Sequence, residues 1–181
     1  SGRQIWLRTD VEMSTLDSTP GVEIIGGALG QGLGQGVGMA LGLRLAKKQS
    51  RVFVELSDGE LQEGATWEAA MSAGHFRLDS LVAIVDCNSI QADGPMVMNV
   101  EPVAAKWKAF GWETQEINGN DLEQVTQAFA AARAQDGKPK AIIARTVPGK
   151  GVPVVEQKEK AHFVRLEAAE WELARQQLEK Q

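Results

Sequence analysis

Four short apolar runs, at residues 52–56, 81–85, 113–117 and 141–147, are separated by segments whose apolar residues recur at helical spacing, at 29–47, 61–76, 103–110 and 122–134. Runs of that length suit strands buried on both faces, and the helices between them are the crossovers that parallel strands need. The third run is the least apolar, since it carries Glu113, Gln115 and Glu116. The alternation predicts an α/β fold, a three-layer, mainly parallel sheet with helices on both faces. With 181 residues, the chain is expected to form one domain over 1–181, with 1–18 as an irregular N-terminal segment and 164–181 as a C-terminal helix. In such folds chemistry gathers in the loops that follow the carboxyl ends of the strands.

Composition narrows the function classes. A net charge of −5 leaves no basic footprint, so nucleic acid is not expected as a partner. The single cysteine, Cys87, has no internal disulfide partner, and no stretch is long and apolar enough to span a bilayer. Residues 1–10 mix Arg3, Gln4 and Arg8 with Ile5 and Trp6 and lack the apolar core of an export signal. A cytoplasmic protein without a membrane partner is expected. In the tail, Leu166, Ala169, Leu173 and Leu178 fall near one face of a docking helix. Before it, Pro148-Gly149-Lys150-Gly151-Val152-Pro153 reads as a loop, either a connector or a cover over a site.

The oddest composition lies at the start of the first helical segment. Glycines 32, 34, 36, 38 and 42 fall inside it, and at ~1 kcal/mol each against alanine they cost roughly 5 kcal/mol. Glycines 26, 30, 34, 38 and 42 recur every fourth residue, a ridge along which another backbone can approach closely, within the chain or across a subunit interface. Neither G-x-G-x-x-G nor G-x-x-x-x-G-K-[ST] is present, so the dinucleotide and Walker readings fail. Two readings stand: packing alone, or packing combined with a backbone wall for a flat ligand.

After the run at 52–56 comes Ser57-Asp58-Gly59-Glu60-Leu61-Gln62-Glu63-Gly64, where a carboxylate and a glycine precede a helix start. Free backbone N–H groups there suit a phosphate, whereas Asp58 repels one unless a cation lies between. Mg²⁺ fits, because it takes oxygen ligands and shares them between protein and phosphate. The run at 81–85 leads into Asp86-Cys87-Asn88-Ser89-Ile90, a second set of oxygens. Asn88 follows Asp58 by thirty residues, enough for one helix and one strand to bring the chain back to the adjacent strand end.

Asp58-Gly59-Glu60 followed by Asn88 is similar to the bipartite thiamine diphosphate motif, Gly-Asp-Gly and then Asn some thirty residues on. Within that superfamily, Asp58-Gly59-Glu60-Leu61-Gln62-Glu63-Gly64 with Trp67-Glu68-Ala69-Ala70 resembles the transketolase branch. So do Thr19-Pro20-Gly21-Val22-Glu23 leading to Leu29-Gly30-Gln31-Gly32, Lys106-Trp107-Lys108-Ala109-Phe110-Gly111-Trp112, and Gly149-Lys150-Gly151-Val152. The likeness covers about Thr19 to His162 and implies the diphosphate-binding domain of the thiamine diphosphate fold.

The resemblance assigns roles by position. Asp58, the side-chain oxygen of Asn88 and the carbonyl of Ile90 are expected to bind Mg²⁺ or another divalent cation such as Ca²⁺. Gly59 and Glu60 would offer N–H groups to the diphosphate, and Gly27 and Leu29 would line the aminopyrimidine ring. Glu63 and Glu68 resemble buried glutamates that link two cofactor sites across the family's dimer, although helix-start carboxylates are also commonly solvated. His162 sits where the family carries a histidine near diphosphate and substrate. His75 is expected to be a packed structural residue.

Three departures qualify the likeness. Ser57 stands where the motif has glycine; the family's N-terminal histidine motifs have no counterpart before Thr19; and the pyrimidine-binding domain, with the glutamate that activates the cofactor, is absent. The implied function is a thiamine diphosphate subunit of a split transketolase. It would transfer a two-carbon ketol unit from a ketose or ketose phosphate to an aldose, paired with a complementary C-terminal subunit, two of each. The alternatives are the alpha subunit of a 2-oxoacid decarboxylase or dehydrogenase, against which Leu61-Gln62-Glu63-Gly64 argues, and a non-catalytic binding module.

Overall fold

The computed structural model describes residues 4–8, 24–25, 28–92 and 94–179. Six parallel strands form the main sheet: β1 (Gln4–Arg8), β2 (Ile24–Ile25), β3 (Arg51–Ser57), β4 (Leu81–Cys87), β7 (Glu113–Asn118) and β8 (Lys140–Arg145). Their order is β2-β1-β3-β4-β8-β7. The short strands β5 (Ile90–Gln91) and β6 (Gly94–Pro95) pair as a separate antiparallel ribbon. The helices are α1 (Gly32–Leu45), α2 (Gly64–His75), α3 (Val103–Ala109), α4 (Leu122–Ala131), α5 (Pro153–Glu156) and α6 (Ala168–Leu178). No described helix is long and apolar enough to cross a membrane.

The three central strands are apolar on both faces because both faces are covered. Val52, Val54 and Leu56 of β3, Leu81, Ala83 and Val85 of β4, and Ala141 and Ile143 of β8 pack with Leu33, Val37 and Ala40 of α1 and with Ala69, Ala70 and Ala73 of α2. The alternate residues Phe53, Val82 and Ile142 meet Ala128 and Ala132 on the α4 side. Each such buried aliphatic side chain contributes about 2 kcal/mol of transfer free energy, which is why these runs were recognisable as strands. The expected three-layer α/β architecture is the one observed.

Tryptophans lock α3 to α2. Trp67, Trp107 and Trp112 stack at 5.9 and 4.7 Å between successive ring centroids. The indole N–H groups of Trp67 and Trp112 donate to the carbonyls of Leu61 and Ala70, both at 2.8 Å. Gly74 permits this approach, since a Cβ there would lie 1.8 Å from the Phe110 carbonyl oxygen.

Several boundaries and placements differ from expectation. The segment 1–18 is not irregular throughout: Gln4–Arg8 pairs with β3 in register Gln4↔Arg51. The helical pattern at 29–47 begins only at Gly32, because Gly30 adopts φ +82° in a turn. The segment 61–76 divides into a 3₁₀ turn, Gly59–Gln62, and α2, and the last strand ends at Arg145 rather than at 147. In the tail, α6 starts at Ala168, and the residue it buries is Ala174, while Leu173, Leu178 and Trp171 are exposed. His75 is also exposed, at the last turn of α2 with its ring edge-on to Phe76.

The glycine ridge likewise resolves into two rows. Gly36 faces the sheet, where a Cβ would lie 2.5 Å from Cγ2 of Val54 and 3.3 Å from Cδ1 of Leu81. The fourfold-spaced Gly34, Gly38 and Gly42 face outward, and a Cβ on any of them would meet nothing within 4 Å among the described residues. Within α1 the close approach is therefore made by Gly36, off the expected ridge, while Gly30 of that ridge makes one just before the helix.

Candidate functional site

Parallel pairing sets the carboxyl ends of β3 and β4 side by side, with Ser57 opposite Asp86. Asp58 follows at once, its backbone N–H donating to the Asp86 carbonyl at 3.0 Å. The Asp58 side chain is 4% exposed. Its Oδ2 accepts from the backbone N–H of Ser89 at 2.6 Å, whereas Oδ1 is buried without a hydrogen-bond partner among the described residues. Burial raises the Asp58 pKa above the ordinary carboxylate range, against the Ser89 and Gly59 N–H groups that pull it down. A carboxylate desolvated in this way, with one oxygen idle, is stabilised by a cation.

The second loop is shaped to meet it. Ser89 has φ +62°, a left-handed conformation uncommon for a side-chain-bearing residue, and its N–H is the one held by Asp58. Asn88 Oδ1 accepts from the Ile90 N–H at 2.9 Å and keeps a second lone pair. Asn88 Nδ2 donates to Asp86 Oδ2 at 3.1 Å, and the Thr146 hydroxyl donates to Asp86 Oδ1. Asn88, Ile90, Asp86, Thr146, Asn120 and His162 line a cavity of about 380 Å³. Asp58, Cys87 and Ser89 line a smaller cavity of about 100 Å³.

The acidic loop also holds the glycine-rich turn. Glu60 is fully buried, and its Oε1 accepts the Gly30 N–H at 3.0 Å. Gly30 is required there on two counts: its φ is +82°, and a Cβ would lie 2.7 Å from Cβ of Glu63. Leu29, beside it, is 43% exposed. The Glu60 N–H, expected to face a phosphate, donates to Ser57 Oγ at 3.2 Å. The residue that departs from the motif thus supplies its own acceptor.

Of the other candidate residues, Gly27 lies outside the described residues. Gly59 opens the 3₁₀ turn. Glu63 and Glu68 are exposed within this chain, Glu68 on an open groove of about 560 Å³ with Gly30, Gly34 and Ala65. His162 is exposed but reaches the cavity from the 3₁₀ turn Ala161–Phe163. Asp86, Thr146 and Asn120 carried no assigned role. Asn120 Oδ1 accepts the Val147 N–H at 2.8 Å and ties the loop after β7 to the loop after β8. Polar residues at the last positions of a strand, as Asp86, or one or two past its end, as Thr146 and Asn120, were the available signal.

A divalent cation fits this donor set: a buried carboxylate oxygen without a partner, an amide oxygen with a spare lone pair, and nearby backbone groups, all oxygen.

Comparison with known proteins identifies the family. The family described as "Transketolase, thiamine diphosphate binding domain" matches residues 12–181. An uncharacterised transketolase family protein of Sinorhizobium fredii is 52% identical over 84% of this chain and 56% of its own length. A 6-deoxy-6-sulfo-D-fructose transketolase subunit of a Clostridium species is 39% identical over 90% of this chain and 60% of its own. The chain thus spans little more than half the length of these relatives. Among solved structures, transketolase from Campylobacter jejuni superposes with a TM-score of 0.80 at 34% identity, covering 90% of this chain and 27% of that one.

Proposed function

We propose a function from one premise: the chain belongs to the family of transketolase thiamine diphosphate-binding domains. On this reading it is the subunit that anchors thiamine diphosphate, through Mg²⁺ or a similar divalent cation, in a split transketolase. The assembly would move a two-carbon ketol unit from a ketose or ketose phosphate to an aldose. The observation that carries the reading is the idle, buried Oδ1 of Asp58 beside the Asn88–Ser89 turn.

Asp58 and Asn88 would hold the cation through side-chain oxygens, and Ile90 through its carbonyl. Gly59 would give a backbone N–H to the diphosphate, and Glu60 would do so once Ser57 Oγ releases its N–H. Glu60 also fixes the turn at Gly30, which supports the assignment of Leu29 and Gly27 to the aminopyrimidine ring. When bound, thiamine diphosphate supplies the electron sink that lets the C–C bond next to a ketose carbonyl break. His162 would orient substrate or diphosphate oxygens from the cavity wall. Glu63 and Glu68, exposed here, would become buried against a partner.

The relative named as a transketolase subunit supports pairing with a complementary C-terminal subunit; two of each in a symmetric assembly is the arrangement proposed. Its sulfo-sugar name extends the proposed substrate class to ketoses bearing an acidic group. A cytoplasmic site of action is consistent with the lone, buried Cys87. Calorimetry with thiamine diphosphate and Mg²⁺, alone and with the complementary subunit, tests the anchoring role. A ketol-transfer assay tests the split: no turnover is expected from this chain alone, and robust turnover alone would refute the pairing.

A further inference from the structure

We propose that Asp86 is a positioning residue that locks the side-chain amide of Asn88 with its oxygen toward the cation site. The proposal rests on the cofactor-anchoring reading above and adds to it a residue that would touch neither cation nor cofactor.

A carboxamide has two ends of nearly equal shape, and only the oxygen end ligates a cation. A carboxylate has no proton to donate, so the end of Asn88 that faces Asp86 Oδ2, 3.1 Å away, must be the NH₂ end. Oδ1 is thereby turned to the other side, where it takes the Ile90 N–H at 2.9 Å and retains a lone pair. Asp86 is itself held, because its second oxygen accepts from the Thr146 hydroxyl. Thr146 is in turn fixed to β4 by its N–H, which donates to the Cys87 carbonyl at 3.3 Å.

The backbone carbonyl of Asp86 takes the Asp58 N–H at 3.0 Å, so one residue bonds the backbone of Asp58 and the side chain of Asn88, the two residues assigned to the cation. The Ile90 N–H orients the Asn88 oxygen from the opposite side. Asp86 therefore acts as the second of two clamps, restricting rotation of an amide whose sense both clamps agree on.

The test uses the full chain and two readouts. The first is the affinity for Mn²⁺ in the presence of thiamine diphosphate, by calorimetry. The second is the side-chain amide NMR signal of Asn88 without any ligand. Asp86→Leu, similar in shape but without acceptors, is expected to weaken Mn²⁺ binding by about ten- to a hundredfold. The shifted Nδ2 proton that marks a bond to a carboxylate should also disappear. Asp86→Asn keeps one oxygen for Asn88 and turns its NH₂ to the threonine hydroxyl, so affinity should stay within about threefold of the native chain.

If D86L fails to fold, Thr146→Val, which removes only the hydroxyl holding Asp86, carries the test with an expected loss of about threefold. A native chain that binds Mn²⁺ and a folded D86L that binds it equally well would overturn this inference alone. So would a D86N as weak as D86L, since charge and not orientation would then be the cause. A native chain that binds no Mn²⁺ with thiamine diphosphate overturns the anchoring reading and this inference with it.

Discussion

At the amino-terminal edge of the sheet, Lys140 is 3% exposed and its ammonium meets Glu113 and Asp136, each at 2.6 Å. At the carboxyl-terminal edge, Asp58 is 4% exposed and has no cationic partner among the described residues. Burial works against the Lys140 charge, yet the two carboxylates outweigh it and hold its pKa above the usual value. For Asp58 burial prevails, and the pKa rises in the direction that disfavours its charge. One edge settles its electrostatics within the chain, and the other leaves them to be settled by something bound. Such asymmetry marks the edge that binds. Helix α1 repeats the contrast in its backbone, where Gly36 is filled in by Val54 and Gly38 faces nothing.

The strongest way to break this contrast is Asp58→Asn. Retention of thiamine diphosphate in Mg²⁺ should fall by at least about a hundredfold in calorimetry. The ligand-free variant should instead gain stability in urea at neutral pH, because a desolvated charge is gone. The sign follows from linkage: a carboxyl whose folded pKa is raised destabilises the fold at neutral pH. That penalty is relieved as pH falls through the raised value toward 3.8. The native apo chain should therefore gain stability on mild acidification, and D58N should lose that gain. A variant that keeps the cofactor would end the case for this edge.

Gly36→Ala tests a compensated position and should cost about 3 kcal/mol in urea unfolding, since the new methyl meets a stiff valine on a central strand. Lys140→Met keeps the buried stem but removes the charge, and should cost about 2 kcal/mol at neutral pH. The Asp136 pKa is held down, to about 2, first by its bond to Lys140. Its contribution is therefore present above 3.8 and fades as pH falls through about 2. The Lys140 contribution is present below 10.5 and fades above its raised pKa. The stability gap between K140M and the native chain should accordingly narrow at both extremes. Gly38→Ala is the mildest case and should stabilise the isolated chain by about 1 kcal/mol, because no atom of the described residues opposes it. A destabilised G38A would show that the outer row is already covered.

The central strands were legible because both their faces are buried, which makes residues 52–56 and 81–85 nearly continuous apolar runs. The strand Gln4–Arg8 was not legible: five residues mixing Gln4 and Arg8 with apolar neighbours carry little periodicity, and pairing with β3 is a long-range fact. Glycine spacing marked a ridge but could not tell which side of α1 meets the sheet, so Gly36 went unnoticed as the packing position. That Asp58 and the Asn88–Ser89 turn come to adjacent strand ends was readable from two strand ends thirty residues apart. Asp86 and Thr146 were not, because one reads as the end of a strand and the other as a loop. Their roles exist only where β4 and β8 lie side by side.

Strand order also sets a timetable. β8 flanks β4 but follows it in the chain by the β5–β6 ribbon, a helix, a strand and another helix, and Thr146 lies sixty residues after the carboxylate it steadies. On the ribosome, Asp58 and Asp86 emerge long before their last neighbour does. A nascent chain that stalls before β8 leaves β4 without one neighbour, β7 without its partner, and Asp86 without the threonine that holds it.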